Sequence, residues 1–250
     1  EVIEFRLQEY NEKTKPVAEF YKDREKYIPI KGVGTVDEVF KRLSASIDNT
    51  IKNVWFNLVI TGAPGSGKGT QGRLIAQKNN LYYISTGSLL RREVKNNSAI
   101  GIKVKNLMEK GELVSDEIVI QLIEQEIRLH QNMKGFVFKG FPRTIVQAYI
   151  LDGLLRRLDS TVSYCIELDN PTLESIKRLS NRSKTSRARP YDMSADLIIN
   201  RLEEYEEKTL AVADFYKKQN KFASVDAVGD EETVFERLNE KVEVAIRMVR

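Results

Sequence analysis

The chain is 250 residues long and carries a formal net charge of +4, one cysteine and one histidine. That length leaves room for one large domain, or for one domain beside a fragment of another. The charge is small and unclustered, which argues against a nucleic-acid partner; Cys165 and His130, each alone, exclude a protein-borne zinc cluster and a disulfide framework; no apolar run approaches about 18 residues, so a soluble, cytoplasmic protein without membrane contact is expected.

Residues 1–28 place Ile3, Leu7, Tyr10, Val17, Phe20 and Tyr21 at near-helical spacing, which predicts an amphipathic helix that Pro16 kinks or restarts. No capping residue or initiator methionine opens it, as expected of a piece cut from something longer. The segment is also repeated. Residues 2–43 align without a gap on residues 197–238, pairing Arg6-Leu7 with Arg201-Leu202, Tyr10 with Tyr205, Phe20-Tyr21-Lys22 with Phe215-Tyr216-Lys217, Gly34 with Gly229 and Arg42-Leu43 with Arg237-Leu238. A shared apolar rhythm would match apolar character, but not polar identities such as Glu12-Lys13-Thr14 with Glu207-Lys208-Thr209. The offset of 195 residues is about the size of a whole domain. Residues 1–48 are therefore expected to be the tail of a preceding domain of the same kind, laid out as helix, strand and helix. Residues 49–53 read as a linker and residues 54–250 as the second domain.

In that second part, residues 55–61 predict a strand, residues 62–71 a glycine-rich loop and residues 72–78 a helix. A second strand is expected at Leu81-Tyr82-Tyr83-Ile84, followed by a helix capped by Ser85-Thr86-Gly87. Helices are expected over 100–110, 115–130 and 145–158, and further strands over 136–138 and 162–168. Short apolar strands alternating with helices point to a parallel sheet covered on both faces, whose ligands bind at the carboxyl ends of the strands. The glycine loop, Ser85-Thr86-Gly87 and Gly140-Phe141-Pro142-Arg143 would all lie there.

The loop Gly62-Ala63-Pro64-Gly65-Ser66-Gly67-Lys68-Gly69-Thr70-Gln71 is a phosphate cradle: glycines let the backbone approach phosphate oxygens, a helix N-terminus aims its amides at them, and Lys68 adds a full charge. It meets G-x-x-x-x-G-K-[ST] up to Lys68, but Gly69 fills the hydroxyl position and Thr70 arrives one residue late. Arg91, Arg143, Arg178, Arg182, Arg187, Arg189 and Arg201 supply guanidinium forks suited to phosphate oxygens.

These motifs resemble the adenylate kinases and related nucleoside monophosphate kinases over about residues 54–245. Ser85-Thr86-Gly87-Ser88-Leu89-Leu90-Arg91 is similar to the family's Ser-Thr-Gly-Asp-Leu-Leu-Arg, Gly111-Glu112-Leu113-Val114 to its Gly-x-Leu-Val, and Lys139-Gly140-Phe141-Pro142-Arg143-Thr144 to its Asp-Gly-Phe-Pro-Arg-Thr. The resemblance implies an α/β P-loop NTPase fold: a five-stranded parallel sheet flanked by helices, with a short lid over about 183–193 and an AMP-binding helical subdomain. It implies transfer of a phosphoryl group from ATP to AMP, with ADP as product. ATP would be held by Gly65, Ser66, Gly67, Lys68, Gly69, Thr70, Arg178, Arg182 and Gly229. AMP would be held by Thr86, Arg91, Leu113, Val114, Gly140, Arg143 and Gln147; Thr86 and Gln147 favour AMP over pyrimidine acceptors. Lys68, Arg143, Arg182, Arg189 and Arg201 would be catalytic, with Arg187 the second choice for the lid arginine. Residues 1–48 would be the remnant of a first kinase-like domain, so other domains of a longer protein are expected partners, and the chain itself a monomer or weak dimer.

Three departures remove negative charge from the metal side of such a site. Lys139 replaces an aspartate, Ser88 replaces another acidic residue, and Tyr191-Asp192 stands for Asp-Asp. Mg2+ is expected with ATP but without an assignable protein ligand. A lysine pointing inward about 6 Å from a divalent ion would repel it by roughly 5 kcal/mol at an effective dielectric near 20. Lys139 would otherwise bend to solvent or contact phosphate itself. The alternative to an active kinase is a degenerate nucleotide-binding module acting as sensor or scaffold. His130 is expected at a helix end, Cys165 in the core, and residues 203–208 as a solvated helix face.

Overall fold

The computed structural model describes residues 2–24, 26–52, 54–110, 114–186, 188–189 and 192–249. Two compact units divide the chain, residues 1–53 and 54–250.

In the first unit, helix α1 (Val2–Glu9) widens into a π-helical turn, Tyr10–Thr14, and continues as α2 (Lys15–Lys22); α3 spans Val36–Lys52. Pro16 sits in the first turn of α2, where its missing N–H costs nothing. The expected helix thus ends at Lys22, and α3 runs through most of the expected linker. The expected strand is absent: residues 27–31 form none, because a lone extended segment has no neighbour for its backbone hydrogen bonds.

The second unit opens with β1 (Phe56–Gly62) and continues through α4 (Lys68–Asn79), β2 (Tyr82–Ser85), α5 (Thr86–Lys95), α6 (Ala99–Lys110) and α7 (Asp116–Leu129). Then come β3 (Gly135–Lys139), α8 (Ile145–Arg156), β4 (Tyr164–Asp169) and α9 (Thr172–Ser183). Next, α10 (Ala195–Glu204) widens into a second π-helical turn, Tyr205–Thr209, followed by α11 (Leu210–Lys217), β5 (Phe222–Asp226) and α12 (Glu231–Val249). The five strands lie in the order β2-β3-β1-β4-β5, every pairing parallel. This is the α/β P-loop NTPase architecture that the resemblance implied.

Period-two alternation sends each strand's side chains to opposite faces. Phe56, Leu58 and Ile60 of β1 pack with Ile75 of α4 and Leu238 and Val242 of α12, whereas Val59 packs with Ile123, Leu151, Leu155 and Tyr216 of α7, α8 and α11. Both faces being covered, all seven residues of β1 are buried. Cys165 is fully buried in the same core, where burial pushes its thiol pKa up. His130 closes α7 as expected: its Nδ1 lies 2.9 Å from the Glu126 carbonyl, and its ring stacks on Tyr82 at 3.5 Å.

The internal repeat extends to the backbone. The π-helical turns fall at matching positions, and Gly34 and Gly229 have φ of 131° and 132°. Arg42 donates to the Val33 carbonyl and Arg237 to the Val228 carbonyl, 195 residues on. Ala211 takes the place of Pro16 in the second copy and the π turn persists, so the widening belongs to the repeat and not to proline.

Candidate active site

β1 delivers the chain at the carboxyl edge of the sheet, residues 63–67 turn, and α4 starts at Lys68. Gly65 has φ 91°, and a Cβ there would stand 2.8 Å from the Ser175 carbonyl of α9, so the turn requires glycine twice over. Lys68 Nζ donates to the carbonyls of Gly62 and Ala63 and to Ser66 Oγ. Its pKa is driven well down by burial first, then by Lys139, Arg201, Arg143 and Arg182. Carbonyls are weak partners for a buried ammonium, so the site is poised to exchange them for an anion.

Two cavities flank the loop. One is lined by Lys68, Lys139, Gly140, Arg143, Arg201, Glu204, Tyr205 and Lys208 among others. The second lies on the other side, lined by Ser66, Gly67, Thr70, Gln71, Arg178 and Gly229 with neighbours from α12. The displaced Thr70 thus lines the second cavity, while among the described residues the first is lined by five cationic side chains and one carboxylate.

Residues 203–208 are not wholly a solvated face. Glu204 and Tyr205 are half-buried, and both line the first cavity with Lys208. Tyr205 donates to Glu167 of β4 at 2.6 Å. A π turn advances the helix by an extra residue, so ordinary helical spacing assigns these side chains to the wrong face.

At the end of β3, Gly140 has φ 81°, and a Cβ there would meet Thr86 Oγ1 at 2.7 Å. Its carbonyl accepts from Thr86 Oγ1 at 3.0 Å and from Arg143 Nε at 3.1 Å. Gln147 is buried: its Oε1 accepts from the Arg143 amide at 2.7 Å, its Nε2 donates to Asp116 of α7 at 2.6 Å, and Thr144 caps α8 through the Gln147 amide. Arg91 donates to Ser88 at 3.1 Å. Ser85 occupies the cap position of α5 but makes no side-chain cap bond, contrary to expectation; its hydroxyl accepts from Ser88 instead. Val114 is buried in the core, and Leu113 lies outside the described residues.

Arg178 donates to Glu174, to the Ala227 carbonyl and to the Gly229 carbonyl, tying α9 to the loop after β5. Arg182 forms a two-pronged pair with Asp192, at 2.8 Å and 2.6 Å, and the Asp192 carboxylate also accepts from the Arg189 amide. Arg187 and Tyr191 lie outside the described residues. Arg189 nonetheless reaches the cleft electrostatically. Burial, then Arg143, Arg189, Arg91 and Arg201, lower the pKa of Lys139 to about 7.

The carboxylates around the cleft do not fit a resident divalent metal. Glu167 is engaged by Tyr205, Asp192 by Arg182, and among the described residues no group of three or more His, Cys, Asp or Glu side chains could hold an ion. No helix among the described residues is long and apolar enough to cross a membrane.

The adenylate kinase family model matches residues 60–221. The chain is 40% identical over 186 residues to an adenylate kinase of Flavobacterium psychrophilum, a match covering 74% of this chain and 97% of that protein. It is 39% identical over 187 residues to one from Flavobacterium johnsoniae, covering 75% and 98%, and 39% identical over 178 residues to one from Leptospira biflexa, covering 71% and 94%. With its parallel sheet, glycine loop and arginine-lined cleft, the chain belongs to the adenylate kinase family.

Proposed function

We propose that this protein moves the terminal phosphoryl group of ATP to AMP, giving two ADP, in the cleft between the phosphate loop and the end of β3. The observation that carries this reading is the convergence of Lys68, Arg143 and Arg201 on one cavity beside the loop. The acceptor phosphate is already an anionic nucleophile, so no general base is needed. The protein's task is to hold two polyanions in line and balance the charge that builds between them.

In this reading Gly65, Ser66, Gly67, Lys68, Gly69 and Thr70 receive the ATP phosphates, Lys68 exchanging loop carbonyls for phosphate oxygens. Arg178 and Gly229 flank the nucleoside end in the second cavity. Arg143, Arg182, Arg189 and Arg201 gather on the transferring group, with Arg182 leaving Asp192 or sharing it. Thr86, Arg91, Leu113, Val114, Gly140, Arg143 and Gln147 hold AMP, and Gln147 is oriented for this by Asp116. Closure of the lid and of α5–α7 excludes water and prevents hydrolysis. β3, whose last residue is Lys139, would offer no carboxylate to a divalent metal carried by ATP. No observation favours the degenerate module.

Residues 1–48 are, in the same proposal, the remnant of a preceding domain of this family; the repeated π turns and glycine torsions support it. Further domains are then natural partners, with the chain a monomer or weak dimer. A single buried thiol suits a reducing compartment, the cytoplasm. The test of the reaction is steady-state ADP formation from ATP with AMP, CMP, UMP and GMP. A clear preference for AMP is expected; equal rates with CMP or UMP would overturn the acceptor, and no ADP from any acceptor would overturn the reaction.

A further inference from the structure

Lys139 ends β3, opposite Ile60 of β1 and Ser85 of β2, and lines the same cavity as Lys68, Arg143 and Arg201. Among the described residues no acidic side chain is paired with it. Nearby carboxylates are committed elsewhere: Asp192 to Arg182, Glu167 to Tyr205, and Glu204, the one carboxylate among the described residues of the cavity wall, to Lys208 at 3.4 Å. The lowered pKa of Lys139 has the same origin, burial among cations. A cleft built this way is short of negative charge and has surplus positive charge, the reverse of what a nucleotide bringing its own divalent cation requires.

We propose that this cleft binds nucleoside triphosphate free of divalent metal, the Lys139 ammonium supplying at the β- and γ-phosphates the positive charge that a metal ion would bring. The inference rests on the phosphoryl-transfer reading for the placement of ATP, but concerns binding and not turnover. Chelating the metal from ATP adds negative charge to the ligand, and Lys68, Lys139, Arg143 and Arg201 face that charge directly. A metal-bound triphosphate would set a divalent ion against the same ammonium.

The test is calorimetric titration of the full chain with ATP, once in excess EDTA and once in excess Mg2+, for the wild type, Lys139→Asp and Lys139→Met. The wild type is expected to bind metal-free ATP at least as tightly as the magnesium complex. Lys139→Asp should weaken the metal-free complex by at least about tenfold and tighten the magnesium complex, inverting the preference. Lys139→Met should lose the metal-free affinity without gaining the other, and it carries the test should the aspartate variant not fold. A wild type that binds ATP more than tenfold tighter with Mg2+, or variants that leave the ratio of the two affinities unchanged, overturns the proposal. Rapid ADP formation beside such a result would leave the kinase reading standing. Tight metal-free binding without ADP formation would leave this inference standing alone, and a chain that binds neither form of ATP would remove both.

Discussion

Residues 2–43 and 197–238 share a good part of their letters, their helices and even their π turns, yet matching apolar side chains are buried in the second copy and exposed in the first. Val212, Tyr216, Leu238 and Val242 are each 0% exposed, whereas their counterparts Val17, Tyr21, Leu43 and Ile47 are 53%, 46%, 43% and 46% exposed. The difference lies opposite the helices, not within them. α11 and α12 pack on the sheet; α2 and α3 keep the same apolar stripe without a sheet of their own in the first unit. A helical stripe therefore encodes a face that expects a partner, and does not by itself create a core.

Substitutions at paired positions sharpen this contrast. Leu238→Ala should destabilise the second unit by about 2–5 kcal/mol, whereas Leu43→Ala should change stability by less than about 0.5 kcal/mol, both read by chemical denaturation. Equal effects would mean that the first unit has a buried face after all. Arg201→Ala should lower kcat for ADP formation by about a hundredfold, roughly 3 kcal/mol of transition-state stabilisation, while Arg6→Ala leaves it unchanged; the assay is the one proposed for the reaction. A smaller effect is expected from pH. Lys139 and Lys68 have folded pKa values below their ordinary lysine value of 10.5, so above about 7 the unfolded chain binds more protons than the folded one, and stability rises with pH toward 10.5. The melting temperature of the ligand-free second unit should follow that rise, and the slope should flatten in Lys139→Met. The least change is expected for Tyr216→Phe. The Tyr216 hydroxyl is buried without a hydrogen-bond partner among the described residues, so removing it should be neutral or stabilising by up to about 1 kcal/mol, and Tyr21→Phe should be silent.

Most of the fold and much of the cleft were legible because local chemistry dictated them. β1 to β4 announced themselves by apolar runs, and the phosphate loop by glycines that its torsions require. The fifth strand, Phe222–Asp226, is short, mixed in polarity and partly exposed, and only the resemblance implied it. Its hydrogen bonds come from pairing with β4, a partner that lies more than fifty residues away in the chain and that no local pattern announces. Glu204, Tyr205 and Lys208 went unread as cavity residues because the π turn breaks the rhythm by which a face is assigned. The commitment of Asp192 to Arg182 is a contact between residues ten apart in an irregular stretch, invisible to any periodicity.

That widened turn between α10 and α11 also acts as a phase setter. A residue on an ideal helix advances by about 100°, so excising a single residue from Tyr205–Thr209 would straighten the rod and swing everything after it by that angle. Val212 and Tyr216 would rotate off the sheet while Arg201, upstream, kept its bearing on the cleft. One surplus residue thus lets a single continuous helix serve two masters, aiming its first half at the cleft and its second at the hydrophobic interior.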